Sequence, residues 1–325
     1  MIRVLPAVAV VGLAAISPLS AQPVRTQQYD AVSQPEQIDS TTQATNLKFR
    51  KDHYDRMTVP VRVAGHGPYR FLVDTGADRT AISWDMAREL RLTHPDMETA
   101  VLHSVSGISD VTTATVPVLT IASKQVRNVE APLLEASNMG ADGILGLDSL
   151  HSQRILFDFK KETLTIVPSS PRMPDVGGTI VVTGRIRNGR LILANAKANN
   201  VGLTLVVDTG AQISVGNEAL RNKLFRKAKK SGAVELQSVT GAKINGQYMI
   251  VHELEVGGVT LKDLPIVFAD SHAFARLGLK DRPALLLGMN ALRGFEKVSI
   301  DFAKKKLRVV LPEESSLTRT RFASL

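Results

Sequence analysis

The sequence predicts a mainly β protein made of two similar halves that face each other across a cleft. Three observations predict this fold class. A chain of 325 residues with 44% hydrophobic residues has room for two medium domains, short β-type runs alternate with turn residues, and the second half repeats the landmarks of the first. Because shared landmarks indicate a shared supersecondary unit, we expect the two halves to fold alike.

The first 21 residues have the pattern of an export signal. One positive charge, Arg3, precedes an apolar run from Val4 to Ile16, and small residues up to Ala21 follow. The run has 13 residues (16 − 4 + 1 = 13), fewer than the roughly 20 that a membrane-spanning helix needs. We therefore predict a signal peptide at 1–21, an exported protein that is periplasmic or secreted, and no stable membrane span. An uncleaved signal that tethers the protein is the alternative.

The rest of the chain divides into two lobes. A stretch rich in Gln, Thr and Ser predicts a flexible lead. The first lobe then opens with a hairpin, Thr58–Ala64 and Tyr69–Val73 around a turn at 65–68, and continues with a helical stretch from Trp84 to Leu92. Prolines between the lobes predict a linker. The predicted bounds are 22–48 for the lead, 49–168 for the first lobe, 169–178 for the linker, 179–312 for the second lobe and 313–325 for a tail.

Composition excludes several functional classes. The chain has no cysteine, so disulfides, thiolate catalysis and Cys-ligated zinc are impossible. The net charge of +9 includes basic clusters at 226–230 and 304–306, which we interpret as solvated surface, because aromatics make up only 5% and no nucleic-acid-binding module is recognisable. His252-Glu253 lacks the second His of a zinc-protease helix, and no phosphate loop is present. We expect no metal, no cofactor and no nucleic acid.

The internal repeat is the most informative feature of the sequence. Asp74-Thr75-Gly76-Ala77 returns as Asp208-Thr209-Gly210-Ala211 (208 − 74 = 134), and Ser104-Val105-Ser106-Gly107 returns as Ser238-Val239-Thr240-Gly241 at the same offset (241 − 107 = 134). Gly146 within Ile-Leu-Gly-Leu then corresponds to Gly288 within Leu-Leu-Gly-Met (288 − 146 = 142). Each Asp-Thr-Gly follows three apolar residues, which predicts an aspartate at the end of a buried strand.

A pair of such aspartates suits acid–base chemistry. Two carboxyl groups within hydrogen-bonding reach cannot both ionise cheaply, so they share one proton, and this applies to Asp74 and Asp208 if they meet. The ionised member can take a proton from water while the protonated member donates to a peptide carbonyl. No metal or covalent intermediate is needed.

At these motifs the chain resembles the aspartic peptidases, and the retropepsin-like kind more closely than the pepsin-like kind. Aspartic peptidases are themselves the well-known example of two carboxyl groups that share one proton. The resemblance implies a two-lobed acid-protease fold with Asp74 and Asp208 as the catalytic pair. It implies that Thr75 and Thr209 interlock the two loops, with Gly76, Ala77, Gly210 and Ala211 as further loop support. It implies that Gly146 and Gly288 let a strand pass close behind each loop.

The resemblance also implies substrate-binding residues. Asp78 matches a family position that helps to hold the substrate backbone, and its counterpart is Gln212, so we expect the two sides of the cleft to recognise substrate differently. Gly107 and Gly241 fall where the family has glycine-tipped flaps that close over bound peptide.

The sequence therefore predicts an aspartic endopeptidase that acts on peptide or protein substrates. A non-catalytic peptide-binding module on the same fold is the alternative, and a self-assembling envelope protein is a more distant one that leaves the paired aspartates unexplained. With both halves in one chain, we expect a monomer.

Overall fold

A computed structural model of the chain describes residues 45–48, 50–51, 57–121, 124–150, 153–169, 179–225, 232–312 and 320–321. The predicted signal peptide, most of the predicted lead and linker, and the basic cluster at 226–230 lie outside these ranges. Within the part of the chain that the structure describes, no helix is long and apolar enough to cross a membrane.

Strands dominate both halves, and the helices are short. The elements of the first half are β1 (Thr45–Lys48), β2 (Arg50–Lys51), β3 (Met57–Val63), β4 (His66–Val73), β5 (Ala81–Ser83), α1 (Trp84–Glu89), β6 (Thr99–Ser104), β7 (Gly107–Ile121), β8 (Lys124–Leu134), α2 (Ala136–Met139), β9 (Gly143–Leu145), α3 (Leu147–Leu150), β10 (Gln153–Asp158) and β11 (Thr163–Pro168). Those of the second half are β12 (Thr179–Thr183), β13 (Arg185–Arg187), β14 (Arg190–Ala198), β15 (Val201–Val207), β16 (Ser214–Gly216), α4 (Glu218–Leu224), β17 (Ala233–Gln237), β18 (Lys243–Val256), β19 (Val259–Phe268), α5 (His272–Arg276), β20 (Ala284–Leu287), α6 (Met289–Leu292), β21 (Lys297–Asp301), β22 (Lys306–Val310) and β23 (Thr320–Arg321).

The two lobes have the same sheet topology around the repeated motifs. In the first lobe the strand order is β2-β3-β4-β9-β5-β8-β7-β6, and in the second it is β13-β14-β15-β20-β16-β19-β18-β17, with β23 beside β19. The strand that leads to each Asp-Thr-Gly turn, β4 or β15, pairs in parallel with β9 or β20. The mainly β, two-lobed fold predicted from the repeat is confirmed.

A third sheet joins the two lobes. Its order is β1-β11-β10-β21-β22-β12, so strands from both halves contribute, and β10 pairs antiparallel with β21 at its centre. Five of the six residues of β10 and four of the five of β21 are buried, among them Phe157 and Ile300 at 0% exposure. Because successive side chains of a strand point to opposite faces, both faces of the sheet are covered at its centre. One hydrophobic cluster contains residues of both lobes. The lobes are thus fixed against each other behind the cleft.

The predicted hairpin and helix are present, with a longer second hairpin strand and a shorter helix than predicted. The turn between β3 and β4 is made by Ala64 and Gly65, both with positive φ (50° and 83°), so β4 begins at His66, inside the predicted 65–68 turn. The helix begins at Trp84 as predicted, with the Ser83 side chain accepting from Met86 N–H, but it ends at Glu89 instead of Leu92. Arg91 takes a positive φ of 54° and Leu92 N–H returns to Ala87 O at 2.8 Å, a helix-ending arrangement.

Two short strands lie outside the predicted lobe bounds. β1 places Thr45–Lys48 within the predicted lead, where it pairs antiparallel with β11 and so ends the predicted flexible segment before residue 45. β23 lies in the predicted tail and pairs in parallel with β19. Both strands add backbone hydrogen bonds to a sheet. The polar local sequence does not reveal this pairing, because the partner strand is distant in the chain.

Candidate active site

Each Asp-Thr-Gly turn begins where a buried strand ends. Val73 closes β4 and Val207 closes β15, and both are almost completely buried. The aspartate that follows each strand makes one more hydrogen bond to the neighbouring parallel strand. Asp74 N–H donates to Leu145 O and Asp208 N–H donates to Leu287 O, both at 3.1 Å. Packing and pairing thus fix the backbone that presents each carboxylate.

The turn itself holds each carboxylate by backbone N–H groups. Asp74 Oδ1 accepts from Gly76 N–H at 2.7 Å and from Ala77 N–H at 3.1 Å. In the second lobe, Asp208 Oδ1 accepts from the N–H groups of residues 210 and 211 at 3.0 and 3.3 Å. One oxygen of each carboxyl group is therefore held in place by its own loop.

The two turns are locked together by their threonines, as the resemblance implied. Thr75 N–H donates to Thr209 Oγ1 at 3.0 Å, and Thr209 N–H donates to Thr75 Oγ1 at 3.1 Å. The hydroxyls then donate across the interface, Thr75 to Val207 O at 3.1 Å and Thr209 to Val73 O at 2.7 Å. Both side chains are 1% exposed, so these four bonds are shielded from water.

This interlock brings the two aspartates together. The carboxyl groups of Asp74 and Asp208 come within hydrogen-bonding reach of each other. A Cβ built on Gly76 would lie 2.6 Å from Asp208 Oδ1, and one built on Gly210 would overlap the Asp74 carboxyl group. Each glycine therefore makes room for the carboxylate of the other lobe, and no larger residue fits at either position.

Burial raises the pKa of Asp208 above the ordinary aspartate range. The positive charge of Arg190, the N–H groups of Gly210 and Ala211 and the hydrogen bond from Asp74 act in the opposite direction, but burial is the larger effect. A carboxyl group that keeps its proton beside a second carboxylate is the arrangement in which one proton is shared by a pair.

The pair formed by Asp74 and Asp208, the aspartate dyad, lies in a cleft of about 510 Å³ between the lobes. Ala77, Asp78, Ala211 and Gln212, four of the residues predicted for the site, also line this cleft, whereas Thr75 and Thr209 lie buried behind it. Gly107 and Gly241 do not line it. Val105 and Val239, two residues before them in the chain, do line it, and contact of the two glycines with substrate stays a prediction.

Both glycines instead shape the tips of the flaps. Gly107 has a φ of 140° and Gly241 a φ of 83°, values that favour glycine and let the chain reverse between β6 and β7 and between β17 and β18. Ser104 and Ser238 brace the two turns in the same way, since each side chain accepts from the N–H two residues on, at 3.3 and 3.1 Å. The structure thus has one glycine-tipped hairpin over the cleft from each lobe.

Asp78 and Gln212 differ in their surroundings as well as in charge. Asp78 is held by two guanidinium groups of the second lobe, with Arg190 Nη1 at 2.8 Å and Arg276 Nη2 at 2.9 Å. Arg190 also donates to Gly76 O from Nε at 2.9 Å and from Nη2. All three charged side chains are at most 14% exposed. Neither arginine was predicted from the sequence, because nothing near them in the chain distinguishes them from other arginines.

Gly146 and Gly288 support the turns from behind. A Cβ on Gly146 would overlap the backbone of Arg79, and one on Gly288 would lie 2.7 Å from the Ile213 carbonyl carbon. Close backbone approach therefore requires glycine at both positions, as the resemblance implied. Within the ranges that the structure describes, no group of three or more His, Asp or Glu side chains could hold a metal ion.

Two protein-family models match the chain, one in each lobe. The gag-polyprotein aspartyl protease family matches residues 59–152, and the aspartyl protease family matches residues 194–291. No curated protein sequence matches the chain. Each matched range contains one Asp-Thr-Gly turn, and together they take in more than half of the chain. The chain therefore belongs to the retropepsin-like aspartic peptidases, as a tandem form with one family half-domain in each lobe.

Proposed function

We propose that the protein is an aspartic endopeptidase that hydrolyses peptide bonds with a water molecule activated between Asp74 and Asp208. The close approach of these two carboxyl groups in the cleft, where each lies against the glycine of the opposite loop, is the observation that carries the proposal. Two carboxyl groups so close share one proton, and the pair then contains both a general base and a general acid.

The proposed reaction uses the pair twice. The ionised carboxylate takes a proton from the water as its oxygen bonds to the peptide carbonyl carbon, while the protonated carboxyl donates its proton to the carbonyl oxygen. The tetrahedral intermediate then loses its C–N bond as the leaving nitrogen receives a proton from the pair, and one hydroxyl of the intermediate returns a proton to the pair, which yields a carboxylic acid, an amine and the starting protonation state. Because the loops hold one oxygen of each carboxyl group by two N–H groups, the reacting oxygens are positioned before substrate binds.

The lining of the cleft supports an extended peptide as the substrate. Equivalent apolar residues from the two lobes flank the dyad, so a chain lying across it would meet similar apolar surfaces on both sides. These residues are Ala81 and Val215, Leu102 and Leu236, Val105 and Val239, and Ile144 and Leu286. We infer a preference for apolar side chains beside the cleaved bond, with different recognition farther out, where Asp78 and its arginines face one side and Gln212 the other.

The proposed pH range is weakly acidic to near neutral. Pepsin-like relatives carry a hydroxyl residue where this chain has Ala77 and Ala211, and without that donor the ionised form of the pair is less stabilised. A rate profile that peaks below about pH 3, near the lower pepsin value, would contradict this part of the proposal.

The proposal is tested by incubating residues 22–325 with a complex peptide library from about pH 3 to 8 and identifying the cuts by mass spectrometry. An Asp208→Asn variant, shown to be folded and at least as thermally stable as the parent, is the control. Cuts made by the parent alone support the proposal and define the cleavage preference. If neither protein cuts while peptides still bind, the protein is a binding module on this fold.

We also propose that the protein acts as an exported monomer in the periplasm or outside the cell. The signal-like pattern at 1–21 and the presence of both half-domains in one chain support this. Cell fractionation combined with N-terminal sequencing tests the first point, since an export signal predicts a mature chain that starts near residue 22. Sedimentation analysis tests the second.

A further inference from the structure

Each flap contacts the opposite lobe at an equivalent position, but the chemistry of the two contacts differs. His103 and Gln237 are related by the repeat (237 − 103 = 134), and each precedes the serine that begins its flap turn. His103 Nδ1 lies 2.9 Å from Nε2 of His272 on α5. Gln237 Nε2 donates at 2.9 Å to Oδ1 of Asn138 on α2. An imidazole pair therefore joins the first flap to the second lobe, and an amide pair joins the second flap to the first lobe.

The tip of the first flap makes further hydrogen bonds to the second lobe beside the imidazole pair. Val105 O, in the turn of the first flap, accepts from His272 N–H at 3.0 Å and from Ser271 Oγ at 3.1 Å. The two imidazole rings are nearly parallel, at 7°, with centroids 5.2 Å apart. Because Val105 also lines the cleft, the contact that fixes this tip fixes part of the substrate-facing surface.

The number of protons on the two imidazoles decides whether this contact can form. A hydrogen bond between the facing nitrogens needs one N–H donor and one unprotonated acceptor, so a pair with no extra proton or with one can make it. A pair with two extra protons has donors on both sides and two positive charges in contact. The amide pair of the second flap has no proton to gain in the range where histidines titrate.

Charged groups on the described elements packed around the pair are few. α5 carries Arg276, which is bound to Asp78. β7, which pairs with the flap strand, carries Asp110 opposite Val101. Asp270 precedes α5 and lies 3.8 Å from Lys280 Nζ. Asp78 and Asp270 have their own basic partners, and the remaining acidic group, Asp110, is exposed to solvent, so these groups offset little of a second positive charge on the imidazole pair.

Building on the proposed peptidase function, we propose that His103 and His272 are positioning residues that hold the first flap closed over bound peptide and release it when both are protonated. Imidazoles titrate near pH 6.5 in the absence of perturbation. Closure of the first flap therefore weakens as pH falls through the range in which histidines titrate, whereas the second flap stays closed. The effect falls on peptide binding, so it sets an acid limit to activity through KM more than through kcat.

A fluorescent probe on the flap tests this independently of catalysis. The chain has no cysteine, so Ile108→Cys, on the flap strand at a residue that is 60% exposed, places a single label. The label is read from pH 4.5 to 8 in the Asp208→Asn background, where no turnover occurs. We expect a transition near pH 6 that is absent when His103→Gln and His272→Asn copy the amide pair. A label at Ala242→Cys on the second flap is the matched control, expected to show no transition.

Three results would overturn the inference: no transition at position 108, the same transition with the amide pair in place, or an equal transition at position 242. If the double substitution prevents folding, His272→Asn alone makes the same comparison. In peptide cleavage, we expect the KM of the parent to rise about tenfold from pH 7.5 to 5 and the KM of the amide-pair variant to stay level. If no peptide is cut at all, the proposed function fails, and the fluorescence still decides the flap contact.

Discussion

The threonine interlock should be a main source of stability at the centre of the molecule. Thr75→Val keeps the shape of the side chain but removes the hydroxyl that donates to Val207 O and accepts from Thr209 N–H. Because the site is 1% exposed, water cannot replace either partner. The substitution therefore leaves one buried carbonyl and one buried N–H without a hydrogen bond.

The size of the effect follows from these two groups. Leaving one buried polar group unpaired costs about 1–3 kcal/mol, so Thr75→Val should lower the free energy of unfolding by about 2–6 kcal/mol. Thr209→Val removes the corresponding bonds, to Val73 O and from Thr75 N–H, and should cost a similar amount. Thr75→Ser keeps the hydroxyl and deletes one methyl group, which should cost only about 1 kcal/mol.

Urea denaturation at neutral pH, followed by the fluorescence of Trp84, the single tryptophan, measures these differences. The ranking is the test: parent, then the serine variant, then the two valine variants close together. A Thr75→Val protein that loses no more stability than Thr75→Ser would refute the reasoning, because the hydroxyl would then contribute nothing that the methyl does not. A large gap between Thr75→Val and Thr209→Val would refute the equivalence of the two halves.

Further substitutions test the aspartate pair and the residues around it. Asp208→Asn should abolish cleavage. It should also raise the free energy of unfolding at pH 7, because burial raises the folded-state pKa of Asp208 and makes its ionised form unfavourable in the folded protein. This gain should vanish below about pH 4, where the carboxyl group is protonated in both the folded and the unfolded state. Gly210→Ala should lose most activity and stability in rate and denaturation assays, since its Cβ would overlap the opposite carboxyl group, whereas Gly202→Ala has open space and should behave like the parent. Burial also raises the pKa of Asp148, so Asp148→Asn should stabilise the protein at pH 7 and not below about pH 4. Asn290→Asp should destabilise it by about 2–4 kcal/mol, because Asn290 Nδ2 donates to Pro265 O and a carboxylate cannot. Thermal melts at both pH values compare the two variants.

The repeat predicted the parts of the site that lie close to the motifs. Asp74 and Asp208 follow three apolar residues each, and those residues form the strands β4 and β15 that present them. The glycine-tipped flaps were placed by the second repeated motif, which includes Gly107 and Gly241. Local patterns of this kind are readable because a strand followed by a tight turn has its signal within a few residues.

Contacts between segments that are far apart in the chain could not be predicted from local patterns. Arg190 and Arg276 meet at Asp78 although they lie 112 and 198 residues further along the chain (190 − 78 = 112; 276 − 78 = 198). His103 and His272 are 169 residues apart. The pairing of β10 with β21, which joins the lobes, is another long-range contact. Each depends on how the lobes are packed together, and no local residue pattern encodes that packing.

Joining the two halves in one chain allows equivalent positions to diverge, and at three of them the first lobe has an ionisable side chain where the second has an amide. These pairs are Asp78 and Gln212, Asp148 and Asn290, and His103 and Gln237. In a dimer of identical chains such a difference is impossible, because each substitution appears in both halves. The aspartate pair needs both halves equally, so the differences lie in the shell around it. Changes of pH should therefore act mainly on the first flap, through its contact with His272 of the second lobe, and the second flap, held by amides, should keep its half of the cleft covered while the first opens.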